Sequence, residues 1–148
     1  MISRTAGYAL CAMSYMARRP AVGWHVCSDI SKATGIPSNY LSRVMGALKT
    51  HGFVESRRGR RGGFRIAVPA DTVCLLDLVD TFDHLSARRA CPWGLADCRE
   101  GAFCPLHESW QGILCGVVDR LRETHLSDLM RGNGEETLTD LTKVAPHS

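Results

Sequence analysis

The chain has 148 residues, 45% of them hydrophobic and 22% charged, and a formal net charge of +3. That is the composition of one compact domain with enough apolar material for a core. No stretch approaches the ~20 apolar residues of a membrane span, and no targeting segment follows Met1, so the reading is a cytoplasmic protein without membrane contact. Seven cysteines, an odd number, do not read as a disulfide framework in a reducing compartment; buried thiols and metal ligands are the remaining uses.

The charge is unevenly placed. Between Arg43 and Arg65 stand seven basic residues and one acid, Glu55, so the rest of the chain is net acidic. Positive charge concentrated in this way is the footprint of a polyanionic partner.

Residues 5–17, TAGYALCAMSYMA, predict a helix, with Tyr8, Cys11, Ala12, Tyr15 and Met16 on its apolar side and Pro20 beyond its end. Cys11 on that side reads as a buried thiol. In HVCSDISKATGIP, Ser28 is the candidate N-cap and Gly35 the candidate residue after the last turn. PSNYLSRVMGALKTHG carries a helical stripe of Tyr40, Leu41, Val44, Met45 and Leu48, with Gly52 after it. Two helices joined by a tight glycine-containing turn match a helix-turn-helix, whose second helix enters the DNA major groove N-terminus first. The residues at that end able to meet base edges are Ser38, Asn39, Ser42 and Arg43.

FVESRR and GFRIAV flank GRRGG and predict a β-hairpin. A hairpin directly after a helix-turn-helix is the wing of a winged helix. Its tip carries Arg57, Arg58, Arg60 and Arg61 among Gly59, Gly62 and Gly63, which suits phosphates and a narrow minor groove.

LLDLVDTF predicts a short helix with Leu75, Leu76, Val79 and Phe82 inward, and Cys74 just ahead of it as packing. HESWQGILCGVVDRLRETHL predicts one long helix whose stripe comprises Trp110, Ile113, Leu114, Val117, Val118 and Leu121. That stripe could bury against the first helix or a second copy. DNA-reading helices usually work in symmetric pairs, which favours a homodimer interface. The polar segment 132–148 is expected to be a flexible tail.

The stretch CPWGLADCREGAFCPLHE spaces Cys91 and Cys98 by six residues, Cys98 and Cys104 by five, and places His107 after two more. Pro92, Gly94, Gly101 and Pro105 keep it out of regular structure. Thiolates favour zinc, copper(I) or iron–sulfur clusters. The tight cysteine pairs usual for structural zinc are absent, and neither common ferredoxin spacing fits. Spacing alone therefore leaves a cluster, a zinc ion and free redox thiols open. No C-x-x-C pair, Ser/His/Asp set or phosphate-binding glycine motif points to an enzyme or a small-molecule substrate.

Taken jointly, SRTAGYALCAMSYMA, GIPSNYLSRVMGALKTHGFV, RRGRRGGF, the three-cysteine loop and CPLHESW resemble the Rrf-two family of winged-helix regulators, from Ile2 to about Leu129. The resemblance implies a mostly α fold with a small hairpin wing. It divides the chain into a winged helix-turn-helix over 1–83, a cysteine-rich loop over 84–108, a dimerisation helix over 109–131 and the tail. It implies a homodimeric DNA-binding regulator, a repressor by expectation, carrying a [2Fe-2S] or [4Fe-4S] cluster on Cys91, Cys98 and Cys104. The cluster would report iron, nitric oxide or redox status. In IscR-like members a histidine three residues past the last cysteine completes the ligand set, and His107 stands there. NsrR-like members use an acid from the partner's first helix, where this chain has Tyr8 and no carboxylate. Cys115 is a weaker candidate for the fourth ligand, and Cys27 reads as structural. The six-residue gap departs from the five or seven of related proteins, and Ser42 replaces an acid found on the recognition helix of IscR-like members. The rival reading is a zinc-stabilised or cluster-free winged-helix module with no sensing role.

Overall fold

The computed structural model describes residues 2–87 and 104–131. Helix α1 (Arg4–Ala17) opens on Ser3, whose side chain accepts the Ala6 N–H at 3.1 Å. Its alanines at 6, 9, 12 and 17 let neighbours approach from several sides, and Met13 and Met16 fill what remains, so α1 is the axis of the core. The Ser3 N–H also donates to Asp83 Oδ2 at 2.7 Å, tying the start of α1 to the end of a later helix.

A single 3₁₀ turn at Pro20–Val22 leads to α2 (Cys27–Thr34). The cap of α2 is Val26, which is extended and offers no side-chain bond, and Ser28 lies inside the first turn, so the helix starts two residues earlier than a Ser28 cap would start it. Asp29 supplies the first turn with negative charge at the positive end of the helix. Gly35 ends α2 in the left-handed conformation at φ 74, as its position predicts. The turn to α3 (Ser38–Thr50) is held by Ser31, whose hydroxyl donates to the Ile36 carbonyl at 2.6 Å, and by Ile36, which is fully buried.

Leu41, Val44, Met45 and Leu48 of α3 enter the core as the stripe predicts. Tyr40 does not: it is 49% exposed, with its ring edge-on to Tyr8 at 6.2 Å. Strands β1 (Val54–Arg57) and β2 (Gly63–Ile66) pair antiparallel, Val54 against Ile66 and Arg57 against Gly63, and form the wing. His25 adds a third, single-residue rung against Phe64.

Helix α4 (Leu75–Asp83) buries Leu75, Leu76, Leu78 and Val79. The long helix predicted over HESWQGILCGVVDRLRETHL forms but ends three residues short: α5 (His107–Glu123) stops at an extended Thr124, and a separate α6 (Leu126–Arg131) follows. The break has a backbone cause. The Leu75 N–H donates to the Thr124 carbonyl and the Leu126 N–H to the Val73 carbonyl, both at 2.9 Å, so the segment before α4 captures the chain at that point. Cys74 contributes as well, its thiol lying 3.4 and 3.2 Å from the Leu121 and Arg122 carbonyls that α5 leaves without helical partners. Leu126 is then buried against α1, and Arg18 Nη2 donates to the Leu129 carbonyl at 2.6 Å. A second, smaller core of Ala6, Val79, Leu85 and Leu114 fastens α5 to α1 and α4. The expected tail and most of the cysteine loop, including Cys91 and Cys98, lie outside the described residues.

Candidate nucleic-acid interface and cysteine centre

The N-terminal turn of α3 presents Ser38, Asn39, Ser42 and Arg43, all exposed, on the face opposite the buried stripe. Ser42 donates its hydroxyl to the Ser38 carbonyl at 3.0 Å, and Ser38 donates to Ser31 Oγ at 3.3 Å. Asn39 and Arg43, one helical turn apart, supply the donors of this face. Amide and guanidinium groups read adenine and guanine edges by paired hydrogen bonds, which gives such a surface the means of base discrimination.

The wing follows within the same basic run. Arg57, Arg58, Arg60 and Arg61 are all exposed, and none pairs with a carboxylate among the described residues. Two glycines shape the tip. A Cβ on Gly62 would stand 2.1 Å from the Arg57 carbonyl oxygen, and one on Gly63, at φ 145, would stand 2.3 Å from the His25 carbonyl oxygen. Only glycine lets the strand pass that close to two backbones.

Arg65 behaves differently from the tip arginines. Its Nε donates to Glu55 Oε1, and its guanidinium lies over the Trp24 ring at 4.5 Å, with Arg57 near the same ring at 5.9 Å. Trp24 escapes a sequence reading because it sits in a turn with no periodicity, and only the hairpin's return brings the strands to it. The same turn holds His25, which is buried, edge-on to Tyr15 at 5.7 Å and pushed below its ordinary pKa, chiefly by burial.

Of the predicted metal ligands, Cys104 and His107 are described. Cys104 is partly buried just ahead of α5, His107 is the first residue of that helix, and the His107 N–H donates to the Cys104 carbonyl at 3.1 Å. One turn of backbone thus brings a thiol and an imidazole to the same end of α5. Among the described residues no group of three or more His, Cys, Asp or Glu side chains is arranged to hold a metal. Cys115 is exposed eight residues along the same helix, about 12 Å of axial rise beyond His107. It lines an open cleft of about 660 Å³ together with Leu85, Ser86, His107, Gln111 and Asp119. Cys11 and Cys27 are pushed up by burial, Cys11 to about 11, which marks them as packing thiols.

The predicted α5 stripe divides. Leu114 is buried in the chain's own second core, and Val117, Val118 and Leu121 pack at its edge. Ile113 points away and is 55% exposed, while Trp110 is partly buried.

Residues 2–132 match the model of the Rrf2 (Rrf-two) family, described as an iron-dependent transcriptional regulator. The HTH-type transcriptional regulator IscR of Vibrio vulnificus is 29% identical over 133 residues, covering 90% of this chain and 79% of that protein. IscR of Photobacterium profundum is 30% identical over 132 residues, covering 89% of this chain and 76% of that protein. Among solved structures, IscR of T. potens superposes with a TM-score of 0.71 at 20% identity, covering 93% of this chain and 90% of that one. CymR of B. subtilis, described as a global cysteine regulator, superposes with a TM-score of 0.71 at 25% identity, covering 88% of this chain and 95% of that one.

Proposed function

Because this chain belongs to the Rrf2 family of transcriptional regulators, we propose that it is a homodimeric, DNA-binding repressor whose operator affinity is set by an iron–sulfur cluster on Cys91, Cys98, Cys104 and His107. The observation that carries this reading is the position of Cys104 and His107 at the root of α5, a helix whose buried face grips α1 and α4 of the DNA-binding unit. Three thiols and an imidazole are a soft donor set that fits iron with sulfide, and Cys104 with His107 offers two of the four at one helix end. When bound, a cluster supplies iron–thiolate bonds that iron scarcity, nitric oxide or oxidation removes.

The chain's own residues then determine what such a loss does. Leu114 seats α5 against Ala6, Val79 and Leu85, so any shift at the root of α5 is felt by α1. Helix α1 in turn packs on α3, whose N-terminal turn reads DNA. On the opposite side Ile113 leaves an apolar face for a second copy, supporting a dimer built along α5. In a dimer, small rotations of α5 alter the separation of two recognition helices that must meet major grooves about 34–36 Å apart. Ser38, Asn39, Ser42 and Arg43 contact bases, and Arg57, Arg58, Arg60 and Arg61 contact phosphates or the minor groove.

The test is anaerobic purification followed by a visible spectrum, iron and sulfide analysis, and gel-shift titration of the protein's own upstream region before and after cluster removal. Brown protein with iron and sulfide, and tighter binding by the loaded form, is the expected result. Colourless, iron-free protein that binds unchanged would establish the cluster-free or zinc-stabilised module instead.

A further inference from the structure

Glu55 and Arg65 are direct cross-strand partners in the wing, and Arg57 is paired with Gly63, two residues from Arg65 on the same strand. Alternation along each strand puts Glu55, Arg57 and Arg65 on one face of the hairpin. Two guanidiniums placed diagonally on one face repel, and the structure offsets this in two ways. Glu55 takes a hydrogen bond from Arg65, and the Trp24 ring lies against both cations, at 4.5 Å from Arg65 and 5.9 Å from Arg57. An indole face attracts a guanidinium within about 6 Å of its centroid and restricts where it can go. The two arginines are thereby made unequal. Arg65 is ion-paired with Glu55 at the surface, whereas Arg57 has no carboxylate partner among the described residues and stands next to the tip arginines.

We propose that Trp24 is a positioning residue for DNA binding: its ring holds the Arg57 guanidinium ready for a backbone phosphate, while Glu55 withdraws Arg65 from the DNA. Trp24 precedes His25 directly, and His25 is hydrogen-bonded to Phe64 in both directions at 2.7 Å. The Trp24 backbone is therefore held beside the strand that carries Arg65. A flexible arginine must give up side-chain freedom on meeting a phosphate, and a guanidinium already resting on an aromatic face gives up less. The inference rests on the reading of the wing as a phosphate-contacting element.

The test is the salt dependence of binding to a mixed-sequence duplex of about 30 base pairs, measured by fluorescence anisotropy. Such contacts need no particular sequence, and each one lost flattens the slope of log K against log salt by about one unit. Arg57→Ala is expected to flatten the slope by about one unit. Trp24→Ala is expected to flatten it by up to the same amount, Trp24→Phe to restore it, and Trp24→Ala with Arg57→Ala to flatten it no further than Arg57→Ala. Glu55→Gln is expected to steepen it by about one unit by releasing Arg65. A wild-type slope in Trp24→Ala, no recovery with Phe, or full additivity in the double variant would overturn the proposal. Should circular dichroism show Trp24→Ala unfolded, an unchanged slope in Glu55→Gln overturns it instead. Wild-type protein that does not bind the duplex at low salt removes the wing reading itself, a failure distinct from a bound protein indifferent to Trp24.

Discussion

His25 and Phe64 exchange two backbone hydrogen bonds, each N–H donating to the other's carbonyl at 2.7 Å. This pair converts a two-stranded hairpin, marginal by itself in water, into a three-stranded edge sewn to the entrance of α2. The wing is therefore fastened to the helix-turn-helix by backbone as well as by Val54, Phe64 and Ile66, which pack into or against the core.

Gly63→Ala tests that fastening. The added methyl would stand 2.3 Å from the His25 carbonyl oxygen, in a backbone conformation at φ 145 that alanine rarely adopts. We expect a loss of about 1–3 kcal/mol in thermal or urea unfolding, with a further drop in DNA affinity because the wing peels from His25. A stability and an affinity equal to wild type would show that the wing does not need this approach.

Acid should weaken the same junction. The pKa of His25 lies below its ordinary 6.5, chiefly through burial; the Arg19 carbonyl contact and Asp29 oppose the shift, and the Arg19 charge adds to it. With the folded value below the unfolded one, the unfolded chain takes up the proton first. The stability is complete above pH about 6.5 and is lost as pH falls through the lower folded value. Thermal midpoints of wild type and His25→Phe between pH 7.5 and 5.5 check this: the wild type should fall more steeply. Parallel curves would assign the pH dependence elsewhere.

Leu114 and Ile113 are neighbours in sequence with opposite surroundings, 4% and 55% exposed. Leu114→Ala should cost about 2–4 kcal/mol of folding stability by emptying the second core. Ile113→Arg should leave the thermal unfolding of dilute protein within about 0.5 kcal/mol. In the proposed dimer it should lower the association constant at least tenfold, which sedimentation velocity over a concentration series would read. An unaltered association would place the dimer contact elsewhere.

Two described thiols should separate by reactivity. Cys11, buried and pushed up to about 11, should resist iodoacetamide at pH 8, while the exposed Cys115 should be alkylated within minutes. Peptide mass spectrometry before and after denaturation distinguishes them. Early labelling of Cys11 would mean that α1 opens far more readily than its packing allows.

The order of elements was legible in the sequence because each carries its own period. The stripe Leu41, Val44, Met45 and Leu48 marks α3, and the run from Val54 to Ile66 can only be strand, turn and strand around its glycines. The basic character of that run, and the exposed polar face of α3, follow from composition and spacing. The resemblance to a regulator family was also legible, since motifs and their order survive without coordinates.

What sequence alone determined is which faces are apolar and which are charged; what covers those faces was decided by tertiary structure. Tyr40 shares the α3 stripe yet is left half exposed, its ring meeting only the edge of Tyr8 on α1. The α5 stripe reads as continuous, but Leu114 goes to the chain's own core and Ile113 to the surface. The helix predicted through Thr124 breaks there because Val73 and Leu75, some fifty residues earlier, offer it backbone partners. Trp24 has no periodic neighbours at all, and only the returning hairpin lays Arg57 and Arg65 against it. Periodicity is a property of consecutive residues, whereas burial, the break in the helix and the indole–arginine stack are made by residues that the chain brings together from far apart.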